Sequence, residues 1–344
     1  MRKYLLPEEG KFYKVNMHSH STLSDGQFTP EELKEKYMAK GYSAIAFTEH
    51  SWNYDVNYLT DENFVAIRAY EFDIGNVHGT SFGALYDGPP IARDHYEAVH
   101  MNLIAKTPDN RNVVCVAPGK LPKKHPDKVD PAQIVGTDDF LPEFTVNAIN
   151  SVIKMANENG FLVIYNHPHW SLNNFELYSK LKGLHGLEIV NGASHRSSDM
   201  DFVPHVYDQM TRSGQKLICV GGDDNHRPHH IGIAWTMVKA DKLDYESLIG
   251  AIERGDCYAS TGPEIKELYV EDGVVTVRCS EAVGVFMTTV GRRKPYKVMD
   301  EGGEYITEAQ LKLAPTDIYF RITVKDERGN RATSRVYYLD EFGM

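Results

Sequence analysis

Apolar runs in this chain alternate with stretches of helical spacing, and polar groups able to hold a metal gather where the runs finish. Residues 12 to 17 read as a short strand leading into His18. Thr29, Pro30, Glu31 and Glu32 supply an N-cap, a first-turn proline and a capping-box acid, so a helix begins there, and Gly41 closes it. A second strand, Ser43 to Thr48, ends at Glu49-His50, and further apolar runs cover Phe64 to Ala69, ending near Glu71, and Ser81 to Leu85. Over 143–159, Val146, Ile149, Ile153 and Ala156 share one helical face before Gly160, and Phe161 to Tyr165 then runs into His167. Two more strands follow, Gly186 to Val190 ending near Asn191, and Lys216 to Val220 ending at the run Gly221 to His226. A repeated order of strand, polar group and helix is what an α/β barrel produces, because its site is assembled from the C-terminal ends of its strands.

The pattern breaks in two places. Residues 90 to 142 are rich in proline, lysine and aspartate and read as a long excursion over the barrel mouth. From about Pro263 the texture changes to strands of alternating polarity: Ile265 to Val270, Val274 to Cys279, Gly284 to Val290, Ile318 to Val324 and Arg331 to Tyr338. Glu271-Asp272-Gly273 and Glu327-Arg328-Gly329-Asn330 read as hairpin turns between them. The expected architecture is an α/β barrel over 1–262, interrupted at about 90–142, followed by a small all-β sandwich over 263–344.

In an extended strand the side chains at i and i+2 share a face, so His18 with His20, and Asp224 with His226, form ready-made ligand pairs. With Asp25, His50, Glu71, His78 and His167 they offer nitrogen and carboxylate donors that suit zinc, manganese or iron. The same spacing supplies competitors: Asp73 for Glu71, His169 for His167 and, one residue away, Asp223 for Asp224. His195-Arg196 and His226-Arg227 each place a cation just after a strand that delivers other site groups, and arginine is the natural bidentate partner of a phosphate. His95, His100, His125, His185 and His205 read as surface or core residues, and the Lys120 to Lys128 cluster as a solvated face.

Composition narrows the class. With 42% apolar and 25% charged residues the chain is an ordinary globular protein, and no apolar run approaches the roughly 18 residues of a membrane span, so a cytoplasmic location is the expectation. The four cysteines stand far apart without a C-x-x-C, which argues against a zinc knuckle or a redox pair. A net charge of -11 repels polyanions, so no stable complex with long nucleic acid is expected. A small phosphorylated substrate stays compatible, since two or three divalent ions among three carboxylates would leave the site itself locally positive.

Four motifs in order resemble those of the PHP (polymerase and histidinol phosphatase) metal-dependent phosphoesterases: His18-Ser19-His20 with Ser24-Asp25-Gly26 after it, Thr48-Glu49-His50, His167-Pro168, and Asp224-Asn225-His226. Each motif is weak alone, and the ordered set is specific. The stretch Gly255 to Pro263 and the β-rich tail are more loosely similar to the carbaryl-hydrolase-like subgroup. The resemblance implies a distorted (β/α)7 barrel holding up to three ions. It places one among His18, His20, Glu71 and Asp224, a second among Glu71, His78 and His167, and a third among Asp25, His50 and His226. Glu71 would bridge two of them, since a carboxylate has two oxygens where an imidazole nitrogen binds a single ion. The family's Asn-His-Pro and D-x-H forms favour His167 over His169 and Asp224 over Asp223.

The implied chemistry is hydrolysis of a small phosphoester, with nucleotide-derived substrates among the candidates, by a metal-activated hydroxide. Arg196 and Arg227 are candidates to contact the substrate, and His195 or His169 to protonate the leaving oxygen. A carboxylic or carbamic ester hydrolase on the same ions is the alternative. A binding module with a vestigial barrel is the alternative from another class.

Overall fold

The computed structural model describes residues 2–75, 97–114, 125–136 and 144–343. The apolar run Ser81 to Leu85, and with it His78, lies outside the described residues. The architecture is mixed α/β, built on a 14-stranded sheet with a 4-stranded sheet beside it.

Lys11–Asn16, Ala44–His50 and Val65–Gly75 lie side by side and parallel. Ala98–Ala105 follows antiparallel, then Phe161–Tyr165 antiparallel to it, with Gly186–Asn191 and Ile218–Gly222 continuing parallel to that strand. The region expected to leave the fold at about 90–142 therefore contributes a strand to the middle of the sheet. His100 and Asn102 interrupt its apolar alternation and its flanks are polar, so composition conceals it. The sheet also curls back on itself. Past Ile218–Gly222 the Asp224 N–H donates to the His18 carbonyl at 2.8 Å, Ser19 bridges Asn225, and the Thr236 hydroxyl bonds both the N–H and the carbonyl of Gly221. A Cβ at Gly221 would meet the Trp235 carbonyl at 2.8 Å, so this close approach requires glycine.

Along the inner face of the curl, Val15, Ala44, Ala46, Val65, Ile67, Ala69, Ile104, Leu162, Ile164, Ile218 and Val220 form one buried cluster. Leu248, Ile249 and Ile252 of the helix Tyr245–Arg254 close it from one end, and the Tyr245 hydroxyl donates to the Ala105 carbonyl at 2.9 Å. Burying a leucine or isoleucine side chain contributes about 1.5–3 kcal/mol, so this layer is a rigid floor. Above it, two residues on along the same strand faces, come polar groups: Glu71 after Ala69, Asn166 after Ile164, Glu188 after Gly186, and Asn102 and His100 before Ile104 on the antiparallel strand.

Outside the sheet, the helix Pro30–Met38 carries the expected capping box, with Glu32 N–H donating to Thr29 Oγ1 and Thr29 N–H to Glu32 Oε2. Its buried Tyr37 reaches under the site, donating to Asn225 Oδ1 at 2.8 Å and accepting from Asn16. The helix Val146–Glu158 buries Ile149, Val152, Ile153 and Ala156, and Val146, partly buried, packs against the same core.

The change of texture near residue 262 is not a break in the backbone pairing. Cys257–Ser260 pairs with Arg331–Ser334, placing Tyr258 opposite Ser334 and Ser260 opposite Ala332, and the sheet runs on through Tyr319–Lys325 to Gly284–Thr289. The Lys3–Tyr4 pair joins the other sheet beside Ile265–Glu271. Between the two sheets Leu268, Val277, Val285, Phe320 and Ile322 pack into a second core.

One ion pair fastens the tail to the preceding helix. Arg321, nearly buried, donates through Nε and Nη2 to both oxygens of Asp208 on Pro204–Arg212 at 2.8 and 2.9 Å. Removing one partner of a buried pair strands the other charge. Asp208→Ala is therefore expected to destabilise the fold by about 2 kcal/mol, less than for a fully buried pair because Asp208 is about a third exposed. Denaturant unfolding of the variant checks this, and an unchanged midpoint contradicts it.

Candidate metal centre

The polar groups that stand above the buried floor meet in one hollow. His18 and His20 follow Lys11–Asn16 on either side of the Ser19 bridge, their ring centroids 5.2 Å apart. His50 ends Ala44–His50 and is paired in register with Glu71. His167 follows Phe161–Tyr165, and Asp224, Asn225 and His226 follow Ile218–Gly222. The extended geometry expected to align Asp224 with His226 does not form, because Asp224 adopts a φ of 50° and His226 Nδ1 meets the carbonyl of Asp224 itself at 3.0 Å. His167 also has a positive φ, 23°. Non-glycine residues in this region cost on the order of 1–3 kcal/mol and persist where their surroundings over-determine them.

Glu71 is the hub. Its Oε1 lies 3.4 Å from His18 Nε2, 3.0 Å from His100 Nδ1 and 3.3 Å from His167 Nε2, while Oε2 lies 3.5 Å from His20 Nε2 and 3.2 Å from His50 Nδ1. The two oxygens thus face different sets of imidazoles. Asp224 Oδ1 approaches His18 Nε2 at 3.3 Å, His20 Nε2 at 3.1 Å and His226 Nδ1 at 3.6 Å. Asp25, although half exposed, meets His226 Nε2 at 3.3 Å and His50 Nε2 at 3.5 Å.

Three groupings place their donor atoms within 4.8 Å of one another: His18, Glu71 and His167; His18, His20 and Asp224; and His20, Asp25, His50 and His226. Donors about 2.1 Å from a shared tetrahedral ion lie about 3.4 Å apart, and the approaches of Glu71 and Asp224 to His18 and His20, 3.1 to 3.5 Å, match that spacing. The hydrogen bonds point the same way. His18 Nε2 and both ring nitrogens of His20 are buried with no hydrogen-bond partner, and buried polar atoms left so call for a cause. Divalent ions would supply it, and the donor set fits them.

Electrostatics agrees. Burial opposes the charge of Glu71 and Asp224, but the surrounding imidazoles outweigh it and hold both carboxyls well below their ordinary range. Burial, followed by the charge of His50, pushes His20 down to about 3, which leaves it a neutral ligand. His50 and His226 are raised to about 9 against their burial, chiefly by Asp25. In the protein without ions, protons on these rings balance the carboxylates; cations would take over that balance and release them.

The competitors have other employment. Asp223 accepts the backbone N–H groups of Gly232, Ile233 and Ala234 and the Tyr37 hydroxyl, which makes it a brace for the turn. Asp73 sits opposite His100 on the neighbouring strand, and His169 is exposed. His195, half exposed, is paired with Asp201 at 3.0 Å. Arg196 and Arg227 are exposed, and among the described residues none of these last four side chains bonds to the ligand candidates.

Three acids and bases that the sequence reading passed over complete the centre. His100 was read as surface or core, yet it touches Glu71 and stands 5.0 Å from the ring of His167. The signal was present: His100, Asn102 and Ile104 alternate, and in an antiparallel strand the first residues, not the last, reach the site end. Glu188 takes the His18 Nδ1–H at 3.0 Å through one oxygen, and through the other the His167 N–H at 3.1 Å and the Asn191 amide at 2.9 Å. Glu49, fully buried, accepts the N–H and hydroxyl groups of both Ser21 and Ser24 and so pins the loop that carries Asp25. In that loop a Cβ at Gly26 would stand 2.1 Å from the His20 carbonyl.

No family model matches the chain, and no curated protein matches it. Solved structures similar to it include a two-domain protein containing a predicted PHP-like metal-dependent phosphoesterase from Bacteroides vulgatus, 15% identical over 98% of this chain and 90% of that one, with a TM-score of 0.44. A candidate metal-dependent phosphoesterase from Bifidobacterium adolescentis is 15% identical over 65% of this chain and 90% of its own, with a TM-score of 0.34. A lesion-specific endonuclease from Pyrococcus furiosus is 16% identical over 71% of this chain and 56% of its own, with a TM-score of 0.36.

Proposed function

We propose that this chain is a PHP-type metal-dependent hydrolase of small phosphoesters, its curled sheet a distorted (β/α)7 barrel and its tail a β-sandwich. The observation that carries this reading is the convergence of Glu71 and Asp224 on His18, His20, His50, His167 and His226, with ring nitrogens of His18 and His20 buried and unpartnered. His18, His20, Glu71 and Asp224 would hold one ion, Glu71 and His167 with His100 a second, and Asp25, His50 and His226 a third. His78, expected beside Glu71 and His167, lies outside the described residues; among those described, His100 Nδ1 lies 3.0 Å from Glu71 Oε1.

When bound, such ions acidify water and neutralise charge that develops on the non-bridging oxygens of a phosphoryl group. The chain's own residues do the rest. Glu71 spans two ligand sets with its two oxygens, and Glu188 holds His18 with Nε2 turned inward. His18, His20, Glu71 and His167 are buried, whereas Asp25, His50 and His226 stay partly exposed. Manganese, iron and zinc all suit these donors.

Because Glu49 orders only the Asp25 loop, Glu49→Gln is expected to weaken the Asp25 site by roughly 10- to 100-fold, the range for outer-shell partners, and to leave the Glu71 sites loaded. Elemental analysis of the variant shows this as a partial loss of metal; full occupancy contradicts it. The functional reading is tested by metal analysis joined to a panel of aryl phosphates, nucleotides and aryl carboxylic esters. Metal-dependent turnover of the phosphates supports it. A metal-replete protein that cleaves carboxylic esters in their place replaces it, and one inert to the whole panel favours a binding role.

A further inference from the structure

Deepening the phosphoester reading, on which it rests, we propose that Trp170 forms a subsite for the alcohol portion of the substrate, and that this portion is a planar aromatic ring system. Trp170 shares a tight turn with His167, closed by the Ser171 N–H on the His167 carbonyl and the Leu172 N–H on the His169 carbonyl. The turn sets the indole nearly perpendicular to His167 and His100, with centroids 5.2 and 5.7 Å away and interplanar angles of 82° and 78°. Both imidazoles in turn lie within 3.3 Å of Glu71. The indole is thus fixed against the candidate metal centre.

Despite that packing Trp170 keeps 48% of its surface in water, while Trp52 is fully buried and Trp235 partly so. Hydrating an indole held rigidly beside a reaction centre forgoes burial that a ligand can recover. Leu172, exposed by 43%, follows in the same turn, and Phe175, exposed by 49%, opens the helix Phe175–Tyr178 that comes after it. Sugar hydroxyls need several paired donors and acceptors, of which these side chains supply one donor, the indole N–H, and no acceptor, and a cationic group would be repelled by ions at His100 and His167. A flat ring suits the surface: it stacks on the indole and leaves its phosphoryl group to reach the imidazoles. The aromatic preference belongs to the end of the site marked by His100 and His167, against which the indole packs.

The test uses the metal-loaded full chain and three non-hydrolysable probes, naphthylmethylphosphonate, methylphosphonate and a glucose-derived phosphonate. Their dissociation constants are measured by calorimetry and by quenching of tryptophan fluorescence. The naphthyl probe is expected to bind roughly 5- to 100-fold tighter, the range that ring stacking on an aromatic side chain gives, and to quench Trp170. In Trp170→Leu the ratio of the naphthyl and methyl constants falls toward one, and Trp170→Phe restores part of it. The ratio cancels any general loss of metal or of fold. Equal affinities in the wild type, a ratio unchanged in Trp170→Leu, or tighter binding of a sugar phosphonate overturns the aromatic subsite alone. Failure of metal-loaded protein to bind methylphosphonate overturns the phosphoester reading, and the subsite with it.

Discussion

Glu71→Gln is expected to lower hydrolysis by roughly a thousandfold or more, about 4 kcal/mol of transition-state stabilisation at about 1.36 kcal/mol per tenfold. The substitution keeps the shape of the side chain and removes its charge. It also replaces an oxygen that accepts with a nitrogen that donates. Because Oε1 faces His18, His100 and His167 while Oε2 faces His20 and His50, no other carboxylate among the described residues touches as many of the ligand rings, and both ligand sets lose their shared member. Metal content and turnover should fall together. Steady-state kinetics beside elemental analysis of the same preparation checks the pairing, and a variant that keeps its metal and its activity refutes the bridging role.

Glu188→Gln should act one step further out. Its carboxylate takes the His18 ring proton and ties the backbone of His167 and the amide of Asn191, which in turn reaches Asp224 Oδ2 at 3.2 Å. Loss of such an outer partner typically reduces metal affinity by about 10- to 100-fold. The signature that separates it from general damage is recovery: excess metal should restore most of the activity of Glu188→Gln and little of that of Glu71→Gln. Titration of both variants with manganese or zinc distinguishes them, and identical curves contradict the ordering.

Much of this centre is legible in the chain, for a specific reason. His18-Ser19-His20 works as period two suggests, because the strand's extended course persists through the Ser19 bridge. Asp224 and His226 also reach the site, but by a left-handed residue and a self-directed hydrogen bond that spacing does not show. His100 escapes a rule that looks for ligands only where strands finish, since its strand runs the other way. Glu188 escapes because it faces inward to His18 rather than to the opening, and an acid inside the apolar run Gly186 to Val190 is its only trace in sequence; Glu49 stands in the motif Thr48-Glu49-His50, but nothing local tells that it turns to Ser21 and Ser24. The join between the two halves escapes for a related reason. Alternating polarity identifies Arg331–Ser334 as a strand, but nothing local tells that its partner is Cys257–Ser260, some seventy residues earlier in the chain.

The exposed arginines hold a different lesson. Arg196 and Arg227 were placed near the substrate because they follow strands that deliver ligands, yet position in sequence does not set the direction of a long side chain, and both stand in solvent. His195, half exposed, is engaged with Asp201 at 3.0 Å.

Everything here depends on imidazoles and carboxylates from separate strands caging several cations. Elemental analysis of the purified chain after supplementation with manganese, iron or zinc addresses that directly. Two to three divalent ions per chain, lost in parallel with activity on chelation, is the result expected from the geometry. Fewer than one ion per chain under saturating metal would contradict it.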